Sequence, residues 1–319
     1  MSAAIPKTAS DRSRLRTPSL FYGSAREGMA DLFRQDSTWQ GESRTVLLPA
    51  FIGWSPNEGS GVFDPVDQLG LTPRFYDLGP DLSYDPAVIE AACAAERIDV
   101  IVVIHYFGRV QPGLAETREI ADRHGCLLVE DLAHGWFTAM MGGPAGRTGD
   151  VLAYSLHKMF AMPDARGGQM VYRDTAWLTG QQETAPELAR EVLDVDAAGI
   201  AQARRRVFTE LTARLRDLPG HGTDFELMWP DLRDDESPQT LPVRVLGPGR
   251  DAVYHAMNAE GIGMVSLYHT LIEQLAGFAG MVDLSRHIIN FPVHQDVGAS
   301  DLGDVVAAFE RALAADPTA

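Results

Sequence analysis

Cysteine is nearly absent from this chain of 319 residues: only Cys93 and Cys126 occur. Each sits inside an apolar or helical pattern, and two such residues alone build neither a disulfide framework nor a thiolate metal site. Basic residues are also in the minority, 27 against 44 acidic ones, for a formal net charge of -17. That balance disfavours nucleic-acid backbones and anionic membranes as general partners. An anionic small molecule would need a local pocket of N–H donors with a cation or two. No run of about 18 apolar residues occurs, so no membrane span is expected. The opening MSAAIPKTASDRSRLRTPS is polar, with scattered basic residues and no apolar stretch, unlike a secretory signal. A cytoplasmic protein with a flexible tail over residues 1–20 is the expectation. No G-x-G-x-x-G follows the early strand patterns, which argues against a nicotinamide site.

What is present is a chain 45% hydrophobic, enough for a large core. From residue 44 onward, short apolar runs alternate with helical patterns. TVLLPAF (45–51), RFYDL (74–78), DVIVVIHYFG (99–108), CLLVED (126–131), DVLAYS (150–155) and GGQMVYRD (167–174) read as strands. Between them, DPAVIEAACAAE opens with Asp85 as N-cap and Pro86 at the first helical position, and PGLAETREIADRHG stops at Gly125. This alternation predicts an α/β fold with a mainly parallel sheet covered by helices on both faces. Residues 21–218 form a large domain in this reading, ending with the amphipathic helix 200–218. Residues 219–319 form a smaller α+β domain that closes on a helix with Val305, Val306, Phe309 and Leu313 on one face. Ligand sites in such folds lie beyond the carboxyl ends of the strands, where Asp131, Ser155 and the 105–108 turn fall.

Lysine is scarce, and Lys158 stands among Leu156, His157, Met159 and Phe160. Such a lysine is either a stem packed on the surface or an imine-forming amine, since a desolvated amine near another cation loses its proton more easily. Asp131 ends a very apolar strand, where a carboxylate is costly unless paired. It can hold a pyridinium N–H, or act as a helix cap or structural hydrogen-bond acceptor. His134, three residues on, is close enough to meet the same ligand or to serve the core. Ser155 and the turn after it suit phosphate oxygens. Arg166 suits a phosphate or carboxylate, and Gly167-Gly168 lets the chain pass near a ligand. Upstream, Gly23-Ser24-Ala25 precedes a helix, and a helix start is an anion site.

In that order and spacing the residues resemble the DegT/DnrJ/StrS aminotransferase family of fold-type-I, aspartate-aminotransferase-like pyridoxal-phosphate enzymes. The matching run is 99 to 174, with His105 and Gly108, Ile120-Ala121, Val129 to His134, Gly149-Asp150, Ser155, Lys158 and Gly167-Gly168. The resemblance implies pyridoxal 5'-phosphate as cofactor and a Schiff base on Lys158, which also shuttles protons. It implies that Asp131 pairs with the pyridine nitrogen and that His134 contacts the ring or its 3-oxygen. Ser155 and the Ser24-Ala25 helix start would hold the phosphate, and Trp54, one residue beyond the family's aromatic position, would stack on the ring. Three residues carry Ser155 to Lys158, a spacing similar to other fold-type-I aminotransferases in which an arginine eight residues on reaches the phosphate. Arg166 holds that place. Tyr268 and His269 fall where the small domain would face the cofactor, as substrate contacts or as structural residues. An acidic 180–199 stretch stands where the family carries the loop that builds its nucleotide-sugar pocket, and the WSPNEGSG loop (54–61) is an insert able to shape the substrate site instead.

The function implied is transamination from an amino-acid donor to a keto or aldehyde acceptor, in a homodimer with shared sites. Other reactions with the same cofactor (elimination or replacement, retro-aldol cleavage, decarboxylation) and a non-catalytic regulator on the same fold are the alternatives.

Overall fold

A computed structural model of the protein describes residues 18–34, 44–162, 166–193, 195–247 and 249–315. Most of the expected tail, and residues 163–165 after Lys158, lie outside the described residues.

The first half of the chain alternates as the sequence pattern requires. Strand β1 (Ser19–Tyr22) leads into α1 (Ala25–Arg34). Then come β2 (Thr45–Pro49), α2 (Asp64–Gln68), β3 (Thr72–Tyr76), α3 (Pro86–Ala95), β4 (Val100–Ile104), α4 (Leu114–His124), β5 (Leu127–Asp131), α5 (Trp136–Met140), β6 (Val151–Ser155) and β7 (Gly168–Tyr172). The seven strands form one sheet in the order β1-β7-β6-β5-β4-β2-β3. It is mainly parallel; β7 alone runs against its neighbours β6 and β1. Strands β2, β4, β5 and β6 are buried along their whole length, which explains why they read as unbroken apolar runs. Alternate residues of β6 enter different cores: Val151 and Ala153 join one, Leu152 and Tyr154 the other. The edge strand β3 lies two residues earlier than the 74–78 expected, and it accommodates Pro73, whose missing N–H an edge tolerates.

Local signals set the helix ends. The Asp85 side chain accepts from the Ala87 N–H at 2.9 Å, and Gly125 closes α4 in the left-handed conformation at φ 70°. Beyond β7 come α6 (Leu188–Leu193) and the long α7 (Ala197–Arg216). Next are β8 (Phe225–Leu227), β9 (Thr240–Val245), α8 (Arg250–Ala259), α9 (Ala279–His287), β10 (Ile288–Pro292) and α10 (Ala299–Ala314). The last three strands make a second, antiparallel sheet in the order β10-β9-β8. Helix α7 joins the layers: Ala197 and Ala201 pack with α5 and β6, while Val207, Phe208, Leu211 and Leu215 pack on the second sheet.

Candidate active site

Because β4, β5 and β6 are parallel and in register, their carboxyl ends share one edge of the sheet. Ile104 pairs with Asp131, which pairs with Ala153, and Ser155 stands two residues further along β6. Each chain then turns. The His105 N–H donates to the Asp131 carbonyl (3.0 Å) and the Leu132 N–H to the Ala153 carbonyl (2.8 Å). The turn after β4 holds Phe107 at φ 54° and Gly108 at φ 90°, and it places the Phe107 ring against His134, 5.8 Å apart and near parallel at 17°.

Lys158, one of only two lysines in the chain, ends the single helical turn that follows β6. Its Nζ lies 3.4 Å from His134 Nε2. Burial pulls the ammonium pKa below its ordinary value; Asp131 and Glu58 oppose that, and the Arg26 charge adds to it. Burial, together with the Lys158 and His157 charges, holds His134 well below the usual histidine range. The Phe107 N–H donates to His134 Nδ1 at 3.3 Å, so the neutral ring carries its proton on Nε2, toward the lysine. Burial pushes the Asp131 carboxyl up, while the Ala133 N–H (2.8 Å) and the Lys158 charge draw it back.

A chain crossing brings the helix start to the same place. The Gly167 N–H donates to the Gly23 carbonyl (2.9 Å) and the Leu156 N–H to the Gly167 carbonyl (2.8 Å). Gly167 has φ 123°, and a Cβ on Gly168 would fall on the backbone of Ser24 and Ala25. Ser24 caps α1, its Oγ accepting from the Glu27 N–H (3.1 Å), while Glu27 accepts from the Gly23 N–H (2.9 Å). Ser155 Oγ lies 3.3 Å from His157 Nδ1.

Of the residues singled out from sequence, Lys158, Asp131 and His134 converge, with Tyr268 as a fourth: its ring stands edge-on to His134 at 6.0 Å and 78°. Ser155, Ser24 and Ala25 lie beside them through the Gly167 crossing. Three others are not brought in. Trp54 is 46% exposed and binds through its backbone, its N–H donating to the Thr270 carbonyl. The Arg166 side chain is exposed, and the guanidinium that acts on Lys158 is that of Arg26. His269 turns toward Tyr254, ring centroids 4.9 Å apart.

Arg26, Glu58, His157 and Phe107 carried no role in the sequence reading. Arg26 had a signal: a cation in the first turn of a helix opposes the helix dipole and calls for an anionic partner. Here it binds Asp64 at 3.1 Å and the Glu58 carbonyl, and its buried Nε has no partner among the described residues. Phe107 had none, since its value lies in a contact 27 residues away. A cavity of about 170 Å³ is lined by Tyr106, Arg109, Gln111, Trp229 and others. It touches neither Lys158 nor Asp131, and the Phe107 ring, which meets both Trp229 and His134, separates it from the site.

Residues 57–181 match the pattern of the DegT/DnrJ/EryC1/StrS aminotransferase family. An L-glutamine:2-deoxy-scyllo-inosose aminotransferase of Streptomyces kanamyceticus is 34% identical over 135 residues, 42% of this chain and 30% of that protein. Its counterpart from Streptomyces paromomycinus matches to the same extent. The chain thus spans under a third of the length of these curated relatives. Among solved structures, DesI with its TDP-sugar product superposes with a TM-score of 0.75 at 22% identity, over 94% of this chain and 81% of that one. A DegT DnrJ EryC1 StrS aminotransferase from Brucella abortus gives 0.73 at 18% identity, over 94% and 87%. At these identities the likeness is one of fold. Residues 57–181 are thus similar to the DegT/DnrJ/EryC1/StrS aminotransferase family, and the fold of the chain is the one that family's solved structures share.

Proposed function

We propose that this protein is a pyridoxal-phosphate-dependent aminotransferase that moves an amino group from an amino-acid donor to a keto acceptor. One observation carries the reading: a half-buried lysine amine 3.4 Å from a buried histidine, beside a carboxylate at the end of the adjacent strand. The residues present fit the cofactor. Lys158 offers an amine whose pKa burial lowers, which favours its uncharged form. Asp131 is a buried acid whose charged form needs a cationic N–H to offset its desolvation. The Ser24, Ser155 and Arg26 group offers hydroxyls, first-turn N–H donors and a partnerless guanidinium nitrogen to a phosphate.

When bound, the cofactor supplies an aldehyde for the amine and an electron-poor ring that stabilises negative charge at the donor's α carbon. The chain does the rest. Lys158 Nζ would take the proton from that α carbon and deliver it to the carbon that was the cofactor's aldehyde, the reverse transfer serving the keto acceptor, and its lowered pKa favours the base form. His134, its Nδ1 fixed by Phe107, presents an N–H to the reacting side. Asp131, held by the Ala133 N–H, keeps the ring nitrogen protonated. His157 braces the Ser155 hydroxyl.

The names of the relatives support L-glutamine as donor and a keto cyclitol or keto sugar as acceptor. The net charge of -17 supports an acceptor of low negative charge. We assign a cytoplasmic homodimer; the exposed Trp54, Met140 and Met141 are apolar surface a second copy would cover. Among the described residues no helix is long and apolar enough to cross a membrane.

The test is spectral. Protein loaded with pyridoxal phosphate is expected to be yellow, and an amino donor alone should bleach the visible band. Lys158→Ala should lose both band and turnover. A wild type that stays colourless with added cofactor would sink the reading, and a panel of donors and 2-keto acceptors identifies the pair.

A further inference from the structure

Tyr268 is an aromatic residue with φ 59°. The left-handed region costs a non-glycine residue about 1 kcal/mol or more, so the surroundings must impose it. They do so from two sides. The buried Ser285 hydroxyl donates to the Tyr268 carbonyl at 2.8 Å. The ring stacks on Phe51 (4.8 Å, 28°) and meets Tyr106 and Phe107 edge-on, both at 5.5 Å. The segment after it runs beside the end of β2: the Ile272 N–H donates to the Ile52 carbonyl, and the Trp54 N–H to that of Thr270.

This strained conformation serves one geometric result. It drives the Tyr268 ring into the space over Gly53, where a Cβ would lie 3.2 Å from Tyr268 Cδ1 and 3.6 Å from its Cα. Gly53 thus leaves a gap in the loop after β2, and an aromatic ring from the far side of the chain fills it. The ring also stands edge-on to His134, and the hydroxyl lies close enough to Asp131 for that charge to add to the effect of burial in raising its pKa.

We propose that Tyr268 is the aromatic wall of the cofactor-ring site, entering through the gap left by Gly53, and that Trp54 has no part in it. The inference rests on the aminotransferase reading above and adds a residue to that site. Non-glycine residues held in the left-handed region by their surroundings cluster at binding sites.

The experiment is titration of apo-protein with pyridoxal phosphate, followed by the visible band and by tryptophan fluorescence, for wild type, Tyr268→Leu, Tyr268→Phe, Gly53→Val and Trp54→Leu. Tyr268→Leu is expected to raise the cofactor Kd about tenfold or more, the order of one aromatic contact. Tyr268→Phe should keep affinity within about threefold but shift the band maximum, because the hydroxyl beside Asp131 is gone. Gly53→Val keeps the tyrosine and pushes it aside, so it should reproduce the affinity loss; it decides the matter if Tyr268→Leu does not fold. Wild-type affinity in both Tyr268→Leu and Gly53→Val, or a loss on Trp54→Leu instead, overturns the proposal while leaving the aminotransferase reading intact. A wild type that binds no cofactor overturns both.

Discussion

The His105 ring and the Glu130 carboxylate meet at 2.9 Å with neither side chain exposed. Glu130 also accepts from the backbone N–H groups of Gly146, Thr148 and Gly149. Burial would raise its pKa, but His105 and those donors outweigh burial, so the carboxyl lies below its usual range. Glu130 directly precedes Asp131, so this cluster sets the plane from which Asp131 is presented. Removing one member of a buried, hydrogen-bonded pair costs about 3–5 kcal/mol. Glu130→Ala is therefore expected to lower the melting temperature by many degrees and weaken cofactor retention, with Glu130→Gln milder. Melting of the three apo-proteins checks this, and an Ala variant as stable as wild type would contradict it.

Asp131→Asn should separate stability from function. Burial raises the Asp131 pKa, so at pH 7 its charged form is a penalty the fold carries. An amide of the same shape can still accept the Ala133 N–H. The apo variant is expected to melt at or above the wild-type temperature, while turnover falls about a hundredfold or more if, as proposed, Asp131 is the anionic partner of the ring nitrogen. A destabilised apo variant with normal turnover is the opposite result.

Acid should weaken the fold through its buried neutral histidines. Burial depresses His134 and His157 below the unfolded value of about 6.5, and it pushes His269 down to about 4. A group whose folded pKa is depressed binds more protons when unfolded. Its contribution to stability is therefore full above pH ~6.5 and shrinks as pH falls toward its folded pKa. Melting temperature should decline from pH 6.5 to 5, and a flat profile there would show that these rings titrate freely. In the same series His269→Gln should flatten the low-pH part without altering cofactor affinity, since that ring lies on Tyr254.

Gly168→Ala tests the crossing beneath the residues proposed to hold the cofactor phosphate. The added methyl meets Ser24 and Ala25 backbone, which cannot swing away as a side-chain end could. A loss of about 1–3 kcal/mol is expected, with weaker cofactor binding. Gly303→Ala, in α10 with only the far end of Arg214 near, should instead stabilise by about 0.5–1 kcal/mol. Denaturant midpoints of the two variants with unchanged slopes check the contrast.

Much of this was legible along the chain. Strands β2, β4, β5 and β6 announce themselves as apolar runs because both faces are buried. Asp85 and Gly125 mark helix ends through bonds within a few residues. The order of Asp131, His134 and Lys158 could be read because each follows directly on a strand end, and parallel strands must deliver their ends to one edge. The direction of β7 and the position of β3 were less legible, since neighbours in the sheet, not neighbours in sequence, decide them.

The residue types at the sheet edge, and so the chemistry open to them, were determined by the sequence alone. Which aromatic lies beside His134 and which guanidinium acts on Lys158 was decided only by tertiary structure. Trp54 and Arg166 stand nearest the right places in sequence, yet both side chains are exposed. Tyr268 lies 215 positions after Gly53 in the chain yet packs over it, and the Arg26 charge acts on Lys158 from 132 positions earlier. Contacts of that span leave no periodicity to read. They exist because packing the second sheet and the β1–α1 turn against one edge costs less free energy than leaving their apolar surfaces in water.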